Sequence, residues 1–483
     1  ERSIIHVAYY ADNPFGLQGS PGIFATPPTA MHDFDEALGV FSCRVIAPEE
    51  LDVKIAHTGG TLTHRRREGM IEYRLRSENH VPVRMERSMG ERLRSLPLYS
   101  ISTMRDWREF AIWYNGLVSD AFALPGDEIR ARFAGGGVDE AARRVYAFVS
   151  RGIDLSGNVL YFPEKAATTL MKRRGTPEDK AVLARAILEC LGIRSYFAFT
   201  AGRGSPDLRG FVSPGIFSHL LLYVPIDRSG GVWMDFSRAY NGYGVVDPEI
   251  DETEALVVIR DRTERRIVSA SRMSGSRIGM KVRIDETGNA FFDGHIRFHG
   301  AREDVRLLFE DSRSREEMVN RFLSRMFPAF SLDAFQFAGL DAADLPLELS
   351  IRGRAFSIVT AAPDRIVITP VLNASEVLHH VDARHRTHAF HIVRPVNESE
   401  LYRFVLPEAY RPAVLEREDV LRSRFGYAII RVSKRPGSVE LEVEKEVHVN
   451  AVTIDPADYG EFVDFSTGIR QAEQRHVIIE KGR

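Results

Sequence analysis

The stretch from Gly175 to Ile193 restricts this chain more than any other. It reads Gly-Thr-Pro-Glu-Asp-Lys and runs on into an apolar segment that stops at Leu191-Gly192. Thr176 carries the side-chain oxygen of a helix N-cap. Pro177 suits the first helical position, where its missing N–H costs nothing, and Asp179 stands at N3, within reach of the cap. Leu183, Ala184, Ile187, Leu188 and Leu191 form one apolar stripe, and Gly192 supplies the stop. A helix of this kind must bury its stripe against a second layer. Three strand-like runs follow at 195–200, 219–224 and 232–236, the last two joined by the turn Pro-Ile-Asp-Arg-Ser-Gly-Gly. The expected nucleus is therefore a helix packed on an antiparallel hairpin.

The chain has 483 residues, room for about three domains with cores of their own. The pattern predicts an α+β multidomain protein: a β-sandwich over 1–98, a helical linker and core over 99–260, and a β-rich domain over 261–483. Strands are predicted at 4–10, 40–46 and 53–57, with a hairpin broken at Gly69. A helix from 102 to 122, capped by Ser102 or Thr103, carries Trp107, Phe110, Ala111 and Tyr114 at helical spacing. A second helix is marked by Ala142, Val145, Tyr146 and Val149, and a third by a capping box from Ser314 to Glu317. A last hairpin spans 427–449, a helix opens at Asp455-Pro456, and a strand at 476–480 closes the chain. A formal net charge of -3 gives no basic field for nucleic acid or an anionic membrane. No apolar run approaches the ~18 residues of a membrane span. Cys43 and Cys190 are the two cysteines, which excludes a disulfide framework and a cysteine zinc site.

The order of elements suits thiol chemistry. A nucleophile at a helix N-terminus is stabilised as its anion, a histidine on a facing strand takes the proton, and an acid on the next strand orients the imidazole. The hairpin supplies His219 and Asp235, and its register places Asp235 across or diagonal to His219, within hydrogen-bonding range. The segment Arg-Arg-Gly-Thr-Pro-Glu-Asp-Lys resembles the nucleophile region of bacterial transglutaminase-like (papain-like) proteins, in which Gly-Asp-Cys-x-Asp-Lys opens an apolar helix. Gly175, Asp179, Lys180, Leu191, Gly192 and Ile193 match; Ser-His-Leu-Leu-Leu-Tyr-Val resembles the histidine strand, and Val-Trp-Met-Asp-Phe the acid strand. The helix before the core and the closing run Thr-Ile-Asp-Pro-Ala-Asp-Tyr-Gly are similar to their counterparts in one large bacterial group. There a β-sandwich precedes the core and a second β domain follows. The departure is at the nucleophile: the family's Asp-Cys reads Thr176-Pro177. Proline offers no nucleophile and no N–H.

Substitutes are poorly placed. Cys190 lies ~20 Å down the same helix, and the hydroxyls of Thr176 and Ser218 need a new geometry. His219 and Asp235 then read as a structural pair, or, with Thr176 and Pro177, as a retained cleft for an anion or carboxylate. A tract with His379, His380, Asp382, His385, His388 and His391 has the chemistry of a metal site. It reads more simply as a polar loop and a strand over 385–388, and Asp285 and Asn289 read as turn formers. The resemblance implies a catalytically inactive binding, scaffolding or structural module, exported to the periplasm or cell surface and needing no cofactor. The alternatives are an enzyme with an unrecognised nucleophile and a metal-binding protein. The first β domain is expected to be completed by a protein partner or by an N-terminal part of the same precursor, because a sandwich lacking strands exposes unpaired edges.

Overall fold

The computed structural model describes residues 23–481, apart from breaks at 90–94, 158–160, 204, 206–209, 228–229, 239–240, 271–273, 301–302, 311–313, 341–344, 363, 380, 382–384, 413–415 and 435–437. The strand expected at 4–10 lies outside the described residues. The architecture is α+β, with two β-rich units flanking a mixed core.

The first unit holds two three-stranded antiparallel sheets. In one, Met70–His80 pairs with Leu38–Pro48 and with Thr61–Arg67; in the other, Leu98–Ser102 pairs with Thr29–Ala30 and Lys54–His57. The strand Leu98–Ser102 thus carries this unit past residue 98. A strap at 81–89 leaves it and docks on the last unit. Glu86 accepts hydrogen bonds from the Thr387 and His388 backbone N–H groups and pairs with Arg386. The His391 N–H donates to the Ser88 carbonyl at 2.8 Å.

The core begins with helix α1 (Trp107–Leu117), whose cap is Asp106 rather than Ser102 or Thr103. The Asp106 carboxylate accepts from the Glu109 N–H at 2.9 Å, while Ser102 lies in the strand Leu98–Ser102 and the Thr103 hydroxyl is bonded to the Phe24 backbone. Helices α2 (Gly126–Phe133), α3 (Val138–Gly152), α4 (Ala166–Lys172) and α5 (Pro177–Cys190) follow. They cover one face of a five-stranded antiparallel sheet. From edge to edge its strands are Gly231–Met234, His219–Pro225, Tyr196–Thr200, Glu254–Ile259 and Arg262–Ile267. Leu183, Ile187 and Leu188 of α5 are fully buried against Phe197, Phe199, Leu220 and Leu222, and each contributes about 1.5–3 kcal/mol of transfer free energy.

The last unit is built on an eight-stranded sheet containing Gly275–Ile284, Ala290–His299, Leu347–Ala355, Val396–Val405 and Glu440–Val449. Strict alternation of buried and exposed residues in Ala290–His299 and Leu347–Ala355 shows one face covered and one open. Helices α6 (Glu303–Glu310) and α7 (Arg315–Leu323) pack on the covered face through Val305, Phe309, Val319 and Leu323. The expected capping box fails, because the Ser314 backbone is itself near-helical and its hydroxyl makes no capping bond. Helix α8 (Tyr459–Glu473) buries Tyr459, Phe462 and Ile469 around Phe390. Residues 385–388 form no strand; the strand of that region is Phe390–Ile392. Asp285 is a turn former, accepting from the Thr287 and Asn289 N–H groups. Among the described residues no helix is long and apolar enough to cross a membrane.

Candidate functional site

The N-terminus of α5 is locked from three directions. Thr176 Oγ1 accepts from the Asp179 N–H at 3.2 Å, and Asp179 Oδ2 accepts from the Thr176 N–H at 2.8 Å. These two bonds are the reciprocal capping box. Asp179 Oδ1 also accepts from the Glu164 N–H at 2.6 Å, which ties the approach to α4 onto α5. Gly175 is required by crowding: a Cβ there would meet Asp179 Cβ at 2.8 Å and Thr169 Cγ2 at 3.0 Å. Lys180 is buried and donates to the Ser150 and Ile153 carbonyls, both at 3.0 Å. A cation at the C-terminal end of α3 fixes that helix against α5. The matched residues Gly175, Asp179 and Lys180 are therefore framework. Asp179→Ala is expected to lower unfolding free energy by about 2 kcal/mol, measured by urea denaturation, since a charged acceptor of two N–H groups is lost.

Pro177 occupies N1 of α5 and faces a cleft of about 550 Å³, the size of a small-ligand or short-peptide site. His219, Ser218, Ser237 and Arg238 line it from the hairpin side, Asp247 and Glu249 from the following loop, and Leu155 from the segment after α3. Leu307 of α6 reaches in from the last unit. Thr176 is not a lining residue, since its hydroxyl is spent on the cap.

The expected contact between His219 and Asp235 is absent. Leu222 pairs with Met234, so Asp235 comes across from Leu221, diagonal to His219. The strand ends at Met234, and the chain turns over the carboxylate. Asp235 is wholly buried. It accepts from the Ser237 N–H at 2.8 Å, the Asp247 N–H at 2.7 Å and Asn241 Nδ2 at 3.4 Å. Its carbonyl accepts from the Tyr146 hydroxyl at 2.9 Å. Three donors leave Asp235 holding the loop 235–247 in place, with none of its bonds to the imidazole. His219 Nδ1 instead meets Ser218 Oγ at 2.8 Å, and that oxygen accepts from the Gly202 N–H at 3.1 Å.

Beneath the cleft, Glu178 is buried at the second position of α5. Burial pushes the Tyr114 phenol up, and the Glu178 charge adds to this. Tyr161 moves the same way, through burial, Tyr114 and Glu178. Arg185, about two helical turns beyond, is lowered by burial and lies over the Phe122 and Phe197 rings at 4.8 and 4.5 Å. Arg238 Nε meets Asp247 Oδ2 at 2.5 Å, so this guanidinium on the wall is already paired. Among the described residues the cleft holds no thiol: Cys43 lies in the first unit, and Cys190 ends α5 at the far side.

The other sequence candidates scatter. His380 and Asp382 lie outside the described residues. His379 closes a short 3₁₀ turn, Glu376–His379. His385 is exposed, and His391 Nδ1 is bonded to Thr453 Oγ1 at 2.8 Å. Among the described residues no group of three His, Cys, Asp or Glu side chains is placed to hold a metal ion. Sequence reading missed Arg238, Asp247, Glu249 and Leu307. The loop carrying the first three follows the acid strand, and Asp247-Pro248 marks its turn; Leu307 gave no signal, because its approach depends on packing between units.

Residues 364–479 match DUF3858, a domain of unknown function with solved structure. No curated protein matches the chain by sequence. The chain is similar to the crystal structure of a "putative protease" from Parabacteroides distasonis, at 12% identity and a TM-score of 0.62. The match covers 94% of this chain and 75% of that one, and it shows a shared fold. A "putative cysteine protease" from Cytophaga hutchinsonii aligns over 44% of this chain and 73% of that one, at 12% identity and a TM-score of 0.20, too low to carry an argument.

Proposed function

We propose that the chain is a catalytically inactive transglutaminase-like protein whose cleft serves as a binding site in a scaffold of the bacterial cell envelope or surface. One observation carries this reading: the position that presents a nucleophile in that family is Pro177, fixed at N1 of α5 and facing the cleft beside His219. Nucleophile, base and orienting group must stand in one hydrogen-bonded row. Here the first is a pyrrolidine ring, and the third is committed to backbone N–H groups 237 and 247. The elements that build the cleft remain satisfied, with the capping box, Lys180 and Asp235 all bonded. Retention of the framework without the nucleophile favours binding over turnover. The envelope location rests on the resemblance to the exported bacterial group.

A specific contact favours a second reading. Ser218 Oγ and His219 Nδ1, 2.8 Å apart at the cleft, are a hydroxyl and a base within proton-transfer distance. One experiment separates the two. The protein is incubated with glutamine-containing peptides, ammonia release and peptide cleavage are followed, and a fluorophosphonate probe is applied in parallel. The binding reading expects neither turnover nor labelling above a His219→Ala background. Turnover abolished by His219→Ala, with the probe on Ser218, would establish the enzyme and end the binding reading.

A further inference from the structure

The last unit shuts four charged side chains away from solvent. Lys445 Nζ stands 3.2 Å from Glu398 Oε2, 3.3 Å from Glu400 Oε1 and 2.9 Å from Glu473 Oε1. Lys445 is 0% exposed, and the three glutamates are 6%, 3% and 4% exposed in the same order. Two carboxylates come from the strand Val396–Val405, one from the end of α8, and the ammonium from the neighbouring strand Glu440–Val449. One positive and three negative charges sum to -2 if all are ionised. Like carboxylates around one cation cannot all stay ionised in a buried site, so the cluster is relieved by holding a proton.

The same atoms hold a short piece of chain. Lys445 Nζ donates to the Asn373 carbonyl at 2.7 Å, and Asn373 Nδ2 donates to Glu400 Oε1 at 2.8 Å. The Ser375 N–H donates to Glu473 at 3.0 Å, and the Glu376 N–H to Glu398 at 2.7 Å. The segment then enters the turn Glu376–His379, where Val377 packs in one apolar cluster with Phe390, Tyr459 and Phe462. Residues 386–391, at the other side of that cluster, grip Glu86 and Ser88 of the first unit's strap.

We propose that the Lys445 cluster is a proton-loaded latch: a proton shared between Glu400 and Glu473 keeps residues 373–376 on the sheet, and its loss frees them and loosens the hold on the strap. The direction follows from burial, which pushes Glu400 and Glu473 above the usual carboxylate range and outweighs the opposing pull of Lys445 and of the bonds from Asn373 and the Ser375 N–H. A carboxyl raised in the folded state stabilises fully below its unfolded value, and this is lost as pH rises through the folded value. Lys445 itself is pulled down by burial, but the surrounding glutamates more than reverse this and raise it, so it stays charged throughout. The Tyr402 hydroxyl, which donates to Glu400 at 2.8 Å, is raised by burial and by Glu400 and also stays protonated. Glu86 works in the opposite sense. Burial raises it, but the Thr387 and His388 N–H groups and Arg386 outweigh this and hold it low. Its contribution is therefore lost as pH falls, and the strap is held best between the two limits.

Hydrogen exchange of the full chain, read by mass spectrometry on peptides covering 371–379 and 385–392 from pH 6 to 9, tests the latch. After correction for intrinsic exchange, opening of 371–379 is expected to grow by up to about tenfold per pH unit, the slope of one linked proton, with 385–392 following. Glu400→Gln with Glu473→Gln keeps the acceptor oxygens but removes the charges, and should flatten this dependence. A flat profile in the parent, or an unchanged slope in the double variant, overturns the proposal. Should the double variant not fold, Glu473→Gln alone must shift the opening midpoint to higher pH; an unmoved midpoint overturns it equally.

Discussion

A Lys445→Met variant should lose about 3–5 kcal/mol of unfolding free energy at pH 8, the loss expected when one partner is removed from a buried ionic cluster. Methionine fills much of the lysine volume, so the loss is electrostatic. It leaves Glu398, Glu400 and Glu473, all at most 6% exposed, facing one another without a cation. The Asn373 carbonyl loses its donor as well. The size of the loss should itself depend on pH. As pH falls, Glu400 and Glu473, already raised by burial, take up protons, the repulsion fades, and the variant recovers towards the parent. Denaturant melts at pH 8 and pH 5 measure both statements. A loss under about 1 kcal/mol at pH 8, or one that does not shrink at pH 5, would mean that the ammonium is not the group that makes this site tolerable.

Pro177→Cys should convert an unreactive cleft into one that alkylates readily near neutral pH, without turnover on glutamine peptides. The thiol would sit at N1 of a well-capped helix, where the dipole and free N–H groups favour the thiolate. His219 lines the same cleft and can add its charge. The fold should tolerate the change at a cost of about 0.4–1 kcal/mol, the backbone entropy that proline withholds from the unfolded chain. Turnover needs more than the thiol. The imidazole is bonded to Ser218 and Asp235 to the 235–247 loop, so among the described residues no carboxylate orients the base. Iodoacetamide labelling against pH, compared in the parent, Pro177→Cys and Pro177→Cys with His219→Ala, reads the first statement, and ammonia release reads the second. Efficient turnover by the single variant would show that a thiol at position 177 is the only missing part and that His219 and Asp235 can still align.

The difference between the two sites lies in how their residues are spaced along the chain. Helix α5 announced itself because its cap, first-turn proline, apolar stripe and terminal glycine fall within one short stretch. The hairpin from His219 to Met234 was legible for the same reason. That no bond joins His219 and Asp235 was not legible, because register carries both to one neighbourhood but loop donors decide where a carboxylate turns. The cap of α1 went to Asp106, since Ser102 lies in the strand Leu98–Ser102 and the Thr103 hydroxyl is bonded to the Phe24 backbone.

From the amino-acid order alone came the α+β class, the helix that opens at Pro177, and the strands leading to His219 and Asp235. Each of these rests on interactions between residues a few positions apart, which leave a periodic or capping signature. Tertiary structure alone decided that Leu307 closes one wall of the cleft, that Glu86 reaches Arg386, and that Lys445 gathers glutamates from one strand and one distant helix. These contacts join residues far apart in sequence, where each side chain by itself reads as an ordinary leucine, an exposed acid or a surface lysine. Only packing removes the water that would otherwise satisfy them, and the loss of that water sets their partners and their charge.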